Sequence, residues 1–261
     1  MMNTKTGTKF EQLQKLVRRL RGPRGCPWDR EQTAASLLPY FLEEAYEVME
    51  SVDEENWPLL QEELGDLLLH AVFQASIAED ANRFTLEEVL ETINAKLVRR
   101  HPHVFGEAQA EAPFHAKRNW EAAKHAEKKR QSRLEGVPVA LPALVRAQRL
   151  QQKASLVGFD WEKVDQVWEK VYEEIQELKE AQAEGKRHHL EEEIGDVLFA
   201  VVNLARFFDL SAEDALRKTN RKFIHRFREM EGELKRQGET PEEATLKEMD
   251  HIWNNLKSKT K

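Results

Sequence analysis

Cysteine occurs once in the 261 residues, at Cys26, which excludes an internal disulfide and any cysteine-rich zinc site. An excess of positive charge is also missing. Lys and Arg number 40 against 47 Asp and Glu, a formal charge of -7, so wholesale coating of nucleic acid is not expected. Long apolar runs are absent: the stretches around Leu67 to Phe73 and Val197 to Ala205 fall far short of the roughly 20 residues that span a bilayer. No membrane partner is therefore expected. No cationic start with an apolar core precedes Phe10, which makes the cytoplasm the default expectation. Glycine (11) and proline (9) are few, and they punctuate the chain without forming low-complexity runs. Strand-like alternation is nearly absent.

What is there is helical periodicity. Leu60, Leu64, Leu67, Leu68, Ala71, Val72 and Ala75 follow the spacing of one apolar helix face, and the same pattern recurs along the chain. With hydrophobic residues at 40% and so periodic, the chain is expected to be folded and all-α. It also repeats itself. Tyr40–Phe73 and Lys170–Asn203 align without a gap at an offset of 130, with 12 of 34 residues identical. Lys96-Leu97-Val98-Arg99-Arg100 then corresponds to Lys222-Phe223-Ile224-His225-Arg226, and Trp28-Asp29 to Phe159-Asp160. The expected organisation is an N-terminal helical domain over 1–105, a linker over 106–143 and a C-terminal helical domain over 144–261. The segment from His101 to Ala143 loses the helical period and carries four prolines, while its seven Lys or Arg between 115 and 133 are accompanied only by Trp120 as an aromatic. That pattern suits a solvated connecting helix better than a nucleic-acid platform.

Residues three apart share a helix face, so Glu174 with Glu177 and Glu193 with Asp196 form two carboxylate pairs. Gly185, within the polar run Ala181 to His188, suits the turn of an antiparallel hairpin that folds one pair onto the other. A single Glu-x-x-Glu is usually just a solvated face. Two pairs at one separation, present in both repeats, point instead to a cluster whose mutual repulsion calls for a hard divalent cation, Mg²⁺ or else Mn²⁺. A di-iron carboxylate bundle needs Glu-x-x-His on two helices, and only Glu248 with His251 has that spacing. Gly65 and Gly195, inside helices, are expected to permit close helix packing.

No glycine-rich phosphate loop exists, so phosphate has to be met by metal and basic side chains. Lys222 and Arg226 lie one turn apart on a helix expected to begin beyond Ser211. Lys170 stands one turn before Glu174, and His189 one turn before Glu193. Trp253 suits either stacking on a base or anchoring the last helix.

At these residues the chain resembles the MazG family of nucleoside triphosphate pyrophosphohydrolases, in the all-α pyrophosphatase superfamily. The family pattern, Glu-Glu-x-x-Glu, then Glu-x-x-Asp, then a basic helix, is matched twice. Gly25-Cys26-Pro27-Trp28-Asp29, Arg99-Arg100-His101-Pro102-His103-Val104-Phe105 and Val157-Gly158-Phe159-Asp160-Trp161 extend the likeness. The resemblance implies hydrolysis of ribo- and deoxyribonucleoside triphosphates between the α and β phosphates with low base specificity, and Mg²⁺ as cofactor. It implies Glu174, Glu177, Glu193 and Asp196 as metal ligands, and Lys222 and Arg226 as phosphate contacts. Lys170, Glu173, His189 and Glu192 lie nearby in that scheme, with Glu173 and Glu192 free to take a proton and Trp253 at the nucleoside end. It further implies a homodimer formed through helical hairpins, with the second repeat catalytic and the first mainly structural. Missing ligands do not explain that division, because Glu44, Glu47, Glu63, Asp66, Lys96 and Arg100 are all kept. Phe73 in the place of Asn203 does weigh for the second repeat. The alternative is a non-catalytic acidic helical dimer that serves as a partner-binding scaffold.

Overall fold

The computed structural model describes residues 4–108, 112–128 and 130–259. Twelve helices and no strand are found among them, so the chain is all-α. It divides into two compact units, Met1–Lys124 and His125–Lys261.

In the first unit the order is α1 (Thr4–Arg21), α2 (Pro27–Glu31), α3 (Leu38–Asp53), α4 (Trp57–Asp80), α5 (Leu86–Arg100), α6 (Pro102–Phe105) and α7 (Pro113–Glu127). Helix α3 packs along α4, and α4 along α1 and α5. Local chemistry fixes the starts: Asn56 Oδ1 accepts from the Leu59 N–H at 3.2 Å, and Thr85 and Glu88 cap each other reciprocally at the head of α5. Val17, Leu37, Val72, Phe73, Ala75 and Leu86 form the core of this unit. Burying such side chains stabilises a fold by about 1.5–3 kcal/mol each.

The second unit runs α8 (Ala143–Ser155), α9 (Val164–Glu184), α10 (Arg187–Phe207), α11 (Ala212–Gln237) and α12 (Leu246–Lys259). Its hairpin turns where the glycine suggested: α9 stops at Gly185, whose φ of 71° is the left-handed conformation that a side chain resists. Val167, Val171, Ala200 and Leu204 close the seam between α9 and α10. A separate cluster of Met230, Leu234 and Ile252 joins α11 to α12. As expected, α11 begins beyond Ser211, whose hydroxyl accepts from the Asp214 N–H at 3.2 Å.

The connecting helix expected between the repeats is present, and one expectation, about glycine, needs correction. The segment from His101 to Ala143 contains a 15-residue helix, α7, although its apolar period is weak. The period is weak because α7 has no fully buried residue, and proline at its first position starts it without a hydrophobic face. The boundary between the two units falls in its last turn. Gly65 and Gly195 do not serve close packing inside their units: a methyl group added at either meets nothing within 4 Å.

Candidate active site

Helix α9 buries a stripe of Val167, Val171, Glu174 and Ala181, which sets one carboxylate into an otherwise apolar face. Glu174 is only 7% exposed. Lys170, one turn earlier, reaches it at 2.8 Å and donates to Glu173 at 2.9 Å. These two contacts, the one to Glu174 foremost, push the ammonium's pKa well up and keep it charged. Across the hairpin, one oxygen of Glu193 lies 3.2 Å from His189 Nε2, and His189 Nδ1 is 3.2 Å from Glu184. The other oxygen of Glu193 is buried without a hydrogen-bond partner. Ligand atoms of Glu174, Glu177 and Glu193 all lie within 4.8 Å of one another. Partial desolvation, and after it the charge of Glu174, push the Glu177 carboxyl above its ordinary range. Three crowded acceptors, one with an orphaned oxygen, fit a hard cation.

Not every residue singled out from the sequence joins this cluster. Asp196 is exposed and stands outside the triad, yet it lines the cavity beside it. Glu192 is exposed and lies 3.4 Å from His188. Lys222 is exposed on α11, and Arg226 is half-buried with its Nε unpartnered. Neither lines the cavity. Trp253 packs against Phe223 at 5.2 Å within the apolar cluster that holds α12, in the anchoring role open to it from the sequence.

The cavity occupies about 600 Å³, a size suited to a small organic ligand. Lys170, Glu174 and Asp196 line it together with Phe159, Trp161, Leu134 and Leu150. Gln151, Asp160, Asn203 and Arg206 are its further polar residues. Of these, Asn203 and Asp160 drew notice in the sequence, Asp160 only as part of a repeated motif, and Gln151 and Arg206 did not. Arg206 donates through Nε to Asn203 at 2.9 Å and through both terminal nitrogens to Asp160. Its presence opposite Ser76 in the repeat was the available signal.

The first unit builds the same cluster differently. Glu44, Glu63 and Asp66 meet within 4.8 Å. Tyr40 stands where the second unit has Lys170, and Leu59 where it has His189, so both basic neighbours are gone. Burial, then the charges of Asp66 and Glu47, raise the Glu44 pKa to about 7. Phe73, opposite Asn203, lies in the core with the Arg21 guanidinium 5.2 Å over its ring. Arg100, opposite Arg226, is buried beneath Trp120 of α7.

The MazG nucleotide pyrophosphohydrolase domain matches this chain twice, over residues 32–105 and 163–230. The nucleoside triphosphate pyrophosphohydrolase/pyrophosphatase MazG of Thermotoga maritima is 46% identical over 253 residues, covering 96% of each chain. The nucleoside triphosphate pyrophosphohydrolase of Escherichia coli is 44% identical over 255 residues, covering 95% of this chain and 97% of its own. The protein YabN of Bacillus subtilis is 45% identical over 252 residues, which is 52% of that longer protein. With two matched domains that together span both carboxylate hairpins, and with relatives alike over almost their whole length, the chain belongs to the MazG nucleotide pyrophosphohydrolase family.

Proposed function

We propose that this protein hydrolyses ribo- and deoxyribonucleoside triphosphates between the α and β phosphates, giving the monophosphate and pyrophosphate, and that the second unit does the work. The observation that carries this reading is the cavity in which Lys170, Glu174 and Asp196 stand beside an apolar, aromatic-lined space. One ligand with a charged end and a flat end fits both parts.

Glu174, Glu177, Glu193 and Asp196 are the residues to hold Mg²⁺, or Mn²⁺ in its place. The ion would neutralise the triphosphate, polarise the α phosphorus and acidify a bound water. Lys170 fixes Glu174 and Glu173 at hydrogen-bond distance, so these carboxylates are oriented before substrate arrives. His189 does the same for Glu193. Glu173 and Glu192 are exposed carboxylates beside the ligand set, able to take the proton of the attacking water. Lys222 and Arg226 are suited to meet the departing pyrophosphate, which develops charge as it leaves. Trp253 is placed at the nucleoside end in this scheme only if α12 shifts, since its ring is committed to Phe223.

The same reading includes a homodimer through the helical hairpins, low base preference and residence in the cytoplasm. No helix among the described residues is long and apolar enough to cross a membrane. Product analysis of ATP and dTTP incubated with the protein and Mg²⁺ tests the proposal. Monophosphate plus pyrophosphate is expected. Diphosphate plus phosphate contradicts it, and the absence of turnover returns the acidic scaffold.

A further inference from the structure

Two side-chain amides in the second unit's cavity are each held in one orientation, and neither belongs to the carboxylate cluster. Asn203 Oδ1 accepts from Arg206 Nε at 2.9 Å, so its NH₂ end is the end left for a ligand. Arg206 is itself fixed by both oxygens of Asp160. Gln151, 8% exposed, donates Nε2 to the backbone carbonyl of Phe199 at 2.8 Å. A carbonyl only accepts, so this amide cannot flip without losing the bond, and its Oε1 remains buried with no partner. Both residues line the cavity, and Phe199 and Asn203 are one turn apart on α10.

A buried acceptor without a donor is costly unless a ligand brings the missing N–H. Most of the remaining wall, including Phe159, Trp161, Leu134 and Leu150, suits a flat heterocycle. We infer that the base of the nucleotide enters this cavity, that Gln151 Oε1 accepts from an N–H on its edge, and that Asn203 Nδ2 donates to the adjoining acceptor. The inference rests on the nucleotide reading above and adds the seat of the base and the residues that read it. Every nucleobase carries such a pair: an amino N–H beside a ring nitrogen in adenine and cytosine, a ring N–H beside a carbonyl in guanine, uracil and thymine. The order differs between the two sets, so amides held in one orientation read adenine and cytosine directly, and a base of the other order meets them only when displaced within the cavity. Asp160 and Arg206 are positioning residues for Asn203. The first unit, with Phe73 and Ser76 at the places of Asn203 and Arg206, lacks this arrangement.

The test compares ATP with purine riboside triphosphate, which lacks only the 6-amino group, and uses the α,β-methylene form of each for affinity. Wild-type protein is expected to favour ATP about tenfold or more in kcat/KM and in Kd, because a site built to hydrogen-bond a group rejects the analogue without it. Gln151→Met should bring that ratio to about one, whatever it does to activity as a whole. Asn203→Leu should weaken α,β-methylene-ATP about tenfold and leave inorganic triphosphate unchanged. A wild-type ratio near one overturns the inference with no variant needed, and so does a ratio that survives Gln151→Met. If ATP binds but is never cleaved, the proposed reaction falls, and the Kd ratio of the two methylene analogues alone decides the seat of the base.

Discussion

Tyr40 and Lys170 occupy equivalent places in the two hairpins, and the exchange changes the electrostatics of everything one turn away. Lys170 pairs with Glu174, whereas beside Tyr40 burial, and then the charges of Asp66 and Glu47, raise the Glu44 carboxyl to about 7. A carboxyl whose folded pKa lies above its ordinary value binds more protons folded than unfolded. Stability therefore falls as the pH rises from the ordinary range through about 7, and it is highest below that window. In the presence of a chelator, Glu44→Gln is expected to raise the unfolding midpoint at pH 8 and to leave it unchanged near pH 4. Thermal unfolding of both proteins at the two values measures this; an unchanged midpoint at pH 8 would show that the charge is already relieved. The carboxylates of the triad and their basic neighbours Lys170 and His189 were legible at this scale, because residues three and four apart on a helix must share a face. Gln151, Asp160 and Arg206 were not. They enter the cavity through α8, the α8–α9 connection and the far end of α10, a convergence that tertiary packing creates and local spacing does not display.

The helical hairpin is the element that carries the site, and its two glycines act in opposite senses. Gly185 is needed for the turn, where φ is 71° and a substituent pays about 1–2 kcal/mol of strain. Gly195 is a plain helical position with open space around it. Gly195→Ala should accordingly stabilise the second unit by about 1 kcal/mol through helix propensity, read as a shift in the denaturant midpoint. A lower midpoint would show that another chain packs against that position. Helix existence, the hairpin turn and the start of α11 were legible because periodicity, Gly185 and Ser211 each act locally. Helix α7 was legible only as a solvated connecting helix, and the part it plays, covering Arg100 with Trp120, leaves no periodic signature.

At the scale of the whole molecule, the duplication makes comparison of the two units an experiment in itself. Asp196→Asn removes charge with little change of shape, and is expected to lower kcat by several orders of magnitude, since each 1.36 kcal/mol of lost stabilisation costs about tenfold. Asp66→Asn, the same change in the first unit, should leave most of the activity. Steady-state kinetics with far-UV circular dichroism as the folding control compares them, and equal losses would make both units catalytic. Ile194, Leu198 and Val201 form an exposed apolar stripe on α10, with Tyr172 exposed on α9. Such a surface suits a second copy of the chain. Leu198→Lys should shift the sedimentation coefficient from dimer to monomer, and a wild-type protein that is monomeric at micromolar concentration would refute the dimer.

The two carboxylate pairs stand about two helical turns to either side of the turn at Gly185, and this proximity along the chain reaches into folding kinetics. Contacts of such low sequence separation form early, before the pairings that bring α8 and α11 into place. The mutual repulsion of Glu174, Glu177 and Glu193 is then met while the hairpin closes, and it belongs to the barrier as well as to the finished structure. Added salt should therefore speed refolding more than it slows unfolding in a stopped-flow chevron, and neutralising Glu177 as Gln should remove most of that salt dependence.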